Sequence, residues 1–183
     1  MTKSHNTLSA PVAALRLATE ADADVLALLG GATFLETYAG RLPGRAIVDH
    51  CAKFHTEAAW TMLLRQPQCQ AWLTNTPGGT PVGYALLTPA DIPGQRDGDL
   101  ELRRIYLLGR WRHMGLGRQL IDAVIDMAMT RNAKRLLLGV WVENRDALGF
   151  YAALGFSQVA TRQFLVGTLI CNDFVLARDL LTT

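Results

Sequence analysis

The segment RHMGLG, residues Arg112–Gly117, lies between two segments of contrasting periodicity. Residues 99–108 (DLELRRIYLL) alternate as in a strand, and the apolar residues of 116–129 recur at helical spacing. The glycines let the backbone approach an anion closely. The helix that follows directs free N–H groups and the positive end of its dipole at the same point. The pattern therefore predicts a strand, a phosphate-binding turn and a helix, with a pyrophosphate as the natural ligand.

Arginine is concentrated around this turn. Of the 18 basic residues, 15 are Arg, and five of these lie between Arg103 and Arg118 with no acidic residue among them. The whole chain has a net charge of only +2, which gives no general case for a nucleic acid or a membrane as partner. The local excess indicates one phosphorylated ligand.

Two common phosphate-binding motifs are absent. A P-loop requires Gly-Lys followed by Ser or Thr, which does not occur in this sequence. A Rossmann fingerprint requires a third small residue where this chain has Leu120. The alternative without function is a tight turn with solvated arginines, and the six residues alone do not exclude it.

The other segments predict an α/β (α+β) chain in the order β, helices, β-β-β, α, β, α, β-β. Parallel pairing of adjacent strands is expected for 99–108 and 135–142, because one helix connects them. The early helical region is expected to be interrupted or kinked at Gly30-Gly31. The remaining strands are predicted at 15–18, 70–74, 81–87, 157–166 and 168–176, and the remaining helices at 19–38, from Pro43, at 57–65 and at 144–154.

RHMGLG resembles motif A of the GNAT superfamily of acetyl-CoA-dependent N-acetyltransferases, whose pattern is Arg/Gln-x-x-Gly-x-Gly/Ala after a strand. NRDALGFYAALGF (144–156) is similar to a second segment of that family, and the likeness extends over roughly residues 13–178. The resemblance implies a mixed, mostly antiparallel sheet of about seven strands. Its central parallel pair would be splayed around acetyl-CoA, with helices on both faces.

The resemblance also implies which residues hold acetyl-CoA. Pantetheine would bind the backbone of Ile105 and Leu107, and Asn144 would both cap its helix and contact pantetheine. The pyrophosphate would bind backbone amides from His113 to Arg118, so that Gly115→Val should abolish cofactor binding. The full predicted set comprises Ile105, Tyr106, Leu107, Arg112, His113, Met114, Gly115, Leu116, Gly117, Arg118 and Asn144.

Acyl transfer to an amine requires a base, and a departing thiolate that is protonated. Glu101 is the predicted base, since strand alternation places it with Arg103, Ile105 and Leu107 and its place is similar to that of the family's general-base glutamate. Pairing with an arginine is the structural alternative. Tyr151 is the predicted acid for the thiolate, with simple packing as the alternative. Some members that acetylate protein N-termini have glutamate where this chain has Gly139. Glu143 is therefore only a second candidate base.

The acceptor is less well determined by the sequence. TFLETY and LGVWVEN are similar to segments of bacterial polyamine and small-amine acetyltransferases, and a carboxylate beside aromatic rings suits a cation. A small cationic amine is therefore expected, and a peptide amine or a non-catalytic acyl-CoA sensor is the alternative. The candidate acceptor residues are Phe34, Glu36, Tyr38, Trp72 and Trp141.

Length and composition indicate the number of domains, the use of metals and the cellular compartment. The 183 residues suit a single domain, expected over 13–183 after a flexible tail of residues 1–12. The three cysteines and four histidines show no metal-ligand spacing, so no metal is expected. His50 and His55 are five residues apart and are not expected to share a helical face. Without a signal-peptide pattern, a cytoplasmic protein is expected, with a homodimer possible by the resemblance.

Overall fold

A mixed sheet organises the part of the chain that the computed structural model describes, residues 13–180; the expected tail lies outside these residues. The helices are α1 Ala23–Tyr38, α2 Gly44–Phe54, α3 Glu57–Leu64, α4 Leu116–Thr130 and α5 Arg145–Ala153, and single 3-10 turns occupy Glu20–Asp22 and Gly109–Trp111. The strands are β1 Ala14–Leu17, β2 Gln70–Asn75, β3 Pro81–Pro89, β4 Leu100–Leu107, β5 Arg135–Trp141, β6 Ser157–Val166 and β7 Leu169–Asp179.

The seven strands are ordered β1-β2-β3-β4-β5-β7-β6. All neighbours are antiparallel except β4 and β5, so the predicted parallel pair and the mostly antiparallel sheet are confirmed. The parallel strands pair only at Leu100–Leu136 and Glu101–Leu137. Beyond Glu101 the edge of β4 that faces β5 has no strand partner, which leaves a gap in the middle of the sheet.

Helices cover both faces of the sheet. On one face α4 and α5 pack against the sheet around Leu120, Val124 and Leu138. On the other face α1 and α3 cover Tyr84 and Leu86. The second helix packs with the end of α1 against the β6–β7 hairpin. The gap between β4 and β5 is therefore enclosed from both sides.

A β-bulge at Arg103 divides β4. Leu102 pairs with Leu87 and Arg104 pairs with Leu86, so Arg103 is the unpaired extra residue. Because a bulge shifts the alternation by one residue, Ile105 and Leu107 join Leu102 on the α4 face. The expectation that Glu101 shares a face with Ile105 and Leu107 is therefore wrong.

The first helix is continuous through Gly30-Gly31, contrary to the expected interruption. A Cβ at Gly30 would collide with the imidazole of His55, which follows α2. The glycine thus provides space for a neighbouring side chain and does not break the helix. Among residues 13–180, none of the helices has the length and apolar character needed to cross a bilayer.

Candidate active site

A cavity of about 240 Å³ occupies the gap between β4 and β5 and reaches both faces of the sheet. Ile105, Val140 and Tyr151 line it on the face covered by α4 and α5. Side chains of α1, α2, β6 and β7 line it on the opposite face. That second set comprises Phe34, Tyr38, His50, Phe54, Phe164, Val166, Cys171 and Asp173.

Glu101 lies at the point where β4 and β5 separate. Glu101 is 3% exposed. Its side chain lies on the face of the sheet that α1 covers, as do the side chains of Arg104 and Tyr106 beyond the bulge. The Asp91 N–H is 3.4 Å from Oε2, and Arg162 Nη1 is 3.7 Å from Oε1. Burial raises the pKa of the Glu101 carboxyl, against the opposing effects of these groups. The carboxylate is thus buried, loosely paired and more basic than a surface glutamate.

Arg162 connects Glu101 with a second buried carboxylate. Its Nε donates to Asp173 Oδ2 at 3.0 Å. Burial raises the pKa of Asp173, and the guanidinium opposes that rise. A Cβ at Gly139 would collide with the Arg162 guanidinium, so the bare backbone of β5 makes room for it. Glycine inside a strand is the sequence signal that could have revealed this approach.

Tyr151 and Asn144 line the cavity from α5. Tyr151 is buried between Phe150 and Phe156, and burial raises the pKa of its hydroxyl. The hydroxyl is therefore neutral at pH 7 and able to donate a proton. Asn144 Oδ1 accepts the Ala147 N–H at 3.3 Å, which confirms the predicted cap of α5. Glu143 is exposed and does not line the cavity.

The glycine turn ends in a helix N-terminus that fits an anion. His113 has φ of 60° and Gly115 has φ of 80°, after which α4 begins at Leu116. The first amides of α4 have no acceptor within the helix, and its first turn carries no acidic residue. Arg118 is exposed and pairs with Asp122 at 2.8 Å. These residues fit the diphosphate of acetyl-CoA, and the backbone is the part that would hold it.

Two predicted site residues instead connect α1 with this turn. Glu36 Oε2 accepts the Gly109 N–H at 2.7 Å and is 4.0 Å from Arg112 Nη2. Arg112 also donates to the Thr37 hydroxyl at 3.3 Å and to the Leu107 carbonyl at 3.4 Å. Glu36 does not line the cavity, so its expected place in the acceptor wall is wrong. Both side chains hold the turn against α1.

The predicted aromatic residues divide between the cavity and the core. Phe34, Tyr38 and Trp141 line the cavity, and the rings of Tyr38 and Trp141 are 6.0 Å apart. Trp72 is 4% exposed and packs in the core beneath α4, so its assignment to the acceptor wall is wrong. The Tyr106 ring packs against Tyr84, on the face away from Ile105 and Leu107.

Several charged or ionisable residues of the cavity were not among the predicted site residues: His50, His55, Asp91, Arg103, Arg104, Arg162 and Asp173. The histidines are not on one helical face, yet the bend after α2 brings their rings to 5.6 Å. Arg104 belongs to the Arg-rich segment but turns away from the glycine turn because of the bulge. Within residues 13–180, no three metal-ligating side chains cluster.

Solved structures of acetyltransferases have a similar fold. The structure of PaiA N-acetyltransferase from Thermoplasma acidophilum, in complex with coenzyme A, superimposes with a TM-score of 0.74 at 17% identity, covering 91% of this chain and 98% of that one. An acetyltransferase from Salmonella typhimurium with its cofactor acetyl-CoA gives 0.65 at 19% identity, covering 93% and 95%. The split sheet and the glycine turn thus belong to a fold that this chain shares with these structures.

The sequence comparisons give the family. The model of the Acetyltransferase (GNAT) family matches residues 34–156. An uncharacterized N-acetyltransferase of Mycobacterium bovis is 34% identical over 163 residues, covering 87% of this chain and 98% of that protein. Another, from Lactobacillus delbrueckii subsp. lactis, is 33% identical over 104 residues, 56% of this chain and 60% of that protein. The chain belongs to the GNAT family and is an acetyl-CoA-dependent N-acetyltransferase.

Proposed function

We propose that the protein transfers an acetyl group from acetyl-CoA to the primary amine of a small molecule, by direct attack assisted by Glu101. The observation that carries this proposal is the position of Glu101. It is a buried carboxylate of raised pKa at the edge of the gap in the sheet, on the side away from α4 and α5. A base there meets an amine that enters from the α1 side.

The donor would bind on the side of α4 and α5. The amides from His113 to Arg118 would hold its diphosphate, and the backbone of Ile105 and Leu107 with Asn144 would hold pantetheine along the free edge of β4. Acetyl-CoA supplies the activated acetyl group as a thioester. The free edge of β4 supports this placement, since its backbone groups there are not used by β5.

The amine reaches the site mostly as an ammonium ion, which Glu101 and Asp173 attract. Glu101 accepts a proton from it, directly or through one water, and frees the nitrogen lone pair. The nitrogen then forms a bond to the acetyl carbon, and the carbon–sulfur bond breaks. Tyr151, whose hydroxyl is neutral at pH 7, donates a proton to the departing sulfur, and the second proton that the nitrogen loses as the amide forms restores the Tyr151 hydroxyl. Each residue acts from a wall of the same cavity.

The size and walls of the cavity support a small acceptor. A volume of about 240 Å³ lies just below the usual range of small-molecule sites. Tyr38 and Trp141 present rings beside the buried carboxylates, an arrangement that suits a cationic amine. We therefore propose a small cationic amine as the acceptor class, with Glu101 and Asp173, and not Glu36, as the carboxylates beside the aromatic rings.

Thiol release from acetyl-CoA tests the proposal. The purified protein is assayed with polyamines, amino acids, aminoglycosides and short peptides, and the acetylated product is identified by mass spectrometry. We expect release that depends on a small amine. Tight binding of acetyl-CoA by calorimetry without acceptor-dependent release from any member of the panel would contradict it, and release only with peptides would exclude a small acceptor.

A further inference from the structure

Arg104 is a half-buried cation that has no carboxylate partner in the described part of the chain. Its side chain leaves β4 just after the bulge and packs over the indole of Trp60, with Cζ 5.0 Å from the ring centroid. Nη1 is buried without a hydrogen-bond partner, and no carboxylate of residues 13–180 lies within 4.0 Å of the guanidinium. Withdrawing part of a guanidinium from water without an anionic partner is costly to the fold.

Two other arginines of low exposure show what is missing. Arg135 pairs with Asp99 at 2.5 Å, and Arg162 pairs with Asp173 at 3.0 Å. In both cases a carboxylate compensates for the loss of water around the cation. Arg104 lines the active-site cavity, where a molecule that enters can supply such a group.

Two histidines surround the same end of the cavity. His50 and His55 are 5% and 8% exposed, and Nδ1 of each, with Nε2 of His55, has no partner among the described residues. Burial and the charge of Arg104 lower the pKa of His50 to about 4 and of His55 to about 3. Both imidazoles are therefore neutral at pH 7, and each carries one N–H donor. Phe34 stacks on His50 at 4.1 Å and closes this end.

The cavity thus has two ends of opposite character. Glu101 and Asp173 form an acidic end that shares one cation, Arg162. Arg104, His50 and His55 form an end with donors and a positive charge but no anion. The side chains of Glu101 and Arg104 lie on the same face of β4, on either side of the bulge. One small molecule can therefore contact both.

We propose that the acceptor amine also bears a carboxylate, and that Arg104, with the neutral His50 and His55, binds that carboxylate while the amine lies against Glu101. The acceptor class is therefore an amino acid or a related zwitterion. This inference rests on the proposed function and narrows its acceptor from a cation to a zwitterion. Arg104 and the histidines are specificity-determining residues in this scheme.

The first test compares acceptors that differ only in the carboxylate. Acetyl transfer is measured for the common L-amino acids, for their carboxamides, and for lysine against cadaverine. We expect the preferred amino acid to exceed its carboxamide and its decarboxylated amine at least 10-fold in kcat/KM. Equal or faster transfer to the amines without a carboxylate would overturn the inference while leaving the proposed function intact.

The second test replaces the cation. Arg104→Met should raise KM for the amino acid at least 10-fold and leave the rate with its carboxamide within about 2-fold. Arg45→Met is the matched control, because Arg45 is exposed and pairs only with Asp49, and it should change neither rate. An Arg104→Met protein that retains the full preference for the amino acid would also overturn the inference.

A binding measurement separates this inference from the proposed function. The same amino acids and carboxamides are added to wild-type and Arg104→Met proteins with CoA present, and the unfolding temperature is recorded. Removal of a half-buried charge that has no carboxylate partner should not lower the unfolding temperature of the free variant. Stabilisation of the wild type alone, by amino acids alone, supports carboxylate binding even without turnover. Equal shifts with both ligand sets, or none with either, would contradict it.

Discussion

The guanidinium of Arg162 lies against Gly139, in the volume that a side chain on β5 would occupy. From there it reaches Asp173 at 3.0 Å and Glu101 at 3.7 Å. The absence of a side chain on one strand therefore determines the electrostatic environment of the proposed base. It also places a cation that contacts both carboxylates of the acidic end, in addition to the charge of Arg103 near Glu101.

We expect Gly139→Ala to displace this guanidinium and to break its bond to Asp173. A charged hydrogen bond of this kind is worth about 1.5–3 kcal/mol, so kcat/KM should fall about 10- to 100-fold. CoA affinity, measured by calorimetry, should not change. Gly149→Ala is the control: its Cβ meets nothing within 4 Å, and a helical alanine should raise stability by up to about 1 kcal/mol. Full activity of Gly139→Ala would contradict the role of Arg162.

Glu101→Gln tests the base. Turnover at neutral pH should fall about 10²- to 10⁴-fold with CoA affinity intact. In the wild type, the rate should rise with pH through the raised pKa of Glu101, because only the carboxylate accepts a proton. That rise should be absent from the variant. Unchanged turnover, or an identical pH profile, would remove Glu101 as the base.

The same substitution has an opposite expected effect on stability. A carboxyl with a raised pKa stabilises the fold in its protonated form, fully below its ordinary pKa of 4.5, and that contribution is lost as the pH rises through the folded value. At pH 7 the charged Glu101 therefore weakens the fold, and Glu101→Gln should unfold at the same or a higher temperature than the wild type. A lower unfolding temperature would indicate that Glu101 is mainly structural.

Two adjacent glycines of α1 provide a matched pair. Gly30→Ala introduces a Cβ into the ring of His55, and we expect a loss of about 1–3 kcal/mol in stability, with a displaced His55. Gly31→Ala meets only the Cβ of His55 at 4.0 Å and should stabilise the helix by up to about 1 kcal/mol. Denaturant unfolding of both variants measures the difference. Equal effects would show that His55 does not depend on Gly30.

Substitutions of the two glycines in the phosphate-binding turn should weaken CoA binding for different reasons. Gly115 has open space around a Cβ but φ of 80°, so Gly115→Ala should cost about 1–2 kcal/mol in backbone strain and weaken CoA binding. A Cβ at Gly117 makes only ordinary contacts, 3.6 Å to Leu107 and 3.8 Å to Phe150. Gly117→Ala should fold normally, and any loss of CoA affinity would come from contact with the ligand. Wild-type affinity in both variants would exclude this turn as the diphosphate site.

The element order and the parallel pair were predictable because hydrophobic periodicity and turn residues are local signals. The bulge at Arg103 was not predictable in that way, since ELRRIYLL contains no glycine or proline that marks it. It arises from pairing with β3, and it reversed the expected faces of Ile105 and Leu107 relative to Glu101. Alternation alone fails wherever a strand contains an unmarked extra residue.

The acceptor end of the cavity was predictable only in part. Phe34, Tyr38 and Trp141 were expected there, but the same reasoning included Trp72, which fills the core. His50 and His55 come together because the chain bends after α2, and a spacing of five residues carries no such signal. Contacts between distant elements determine which polar residues meet, so local patterns could not show this cluster.

The gap between β4 and β5 has a consequence for how the protein can diversify. The side chains that surround the proposed donor belong to α4 and α5, and those that surround the proposed acceptor belong to α1, α2 and the β6–β7 hairpin. The sheet separates the two groups of side chains, and the gap that begins at Glu101 connects them. Substitutions on the acceptor side need not disturb the donor side. Acceptor specificity can therefore change in evolution while acetyl-CoA binding is conserved.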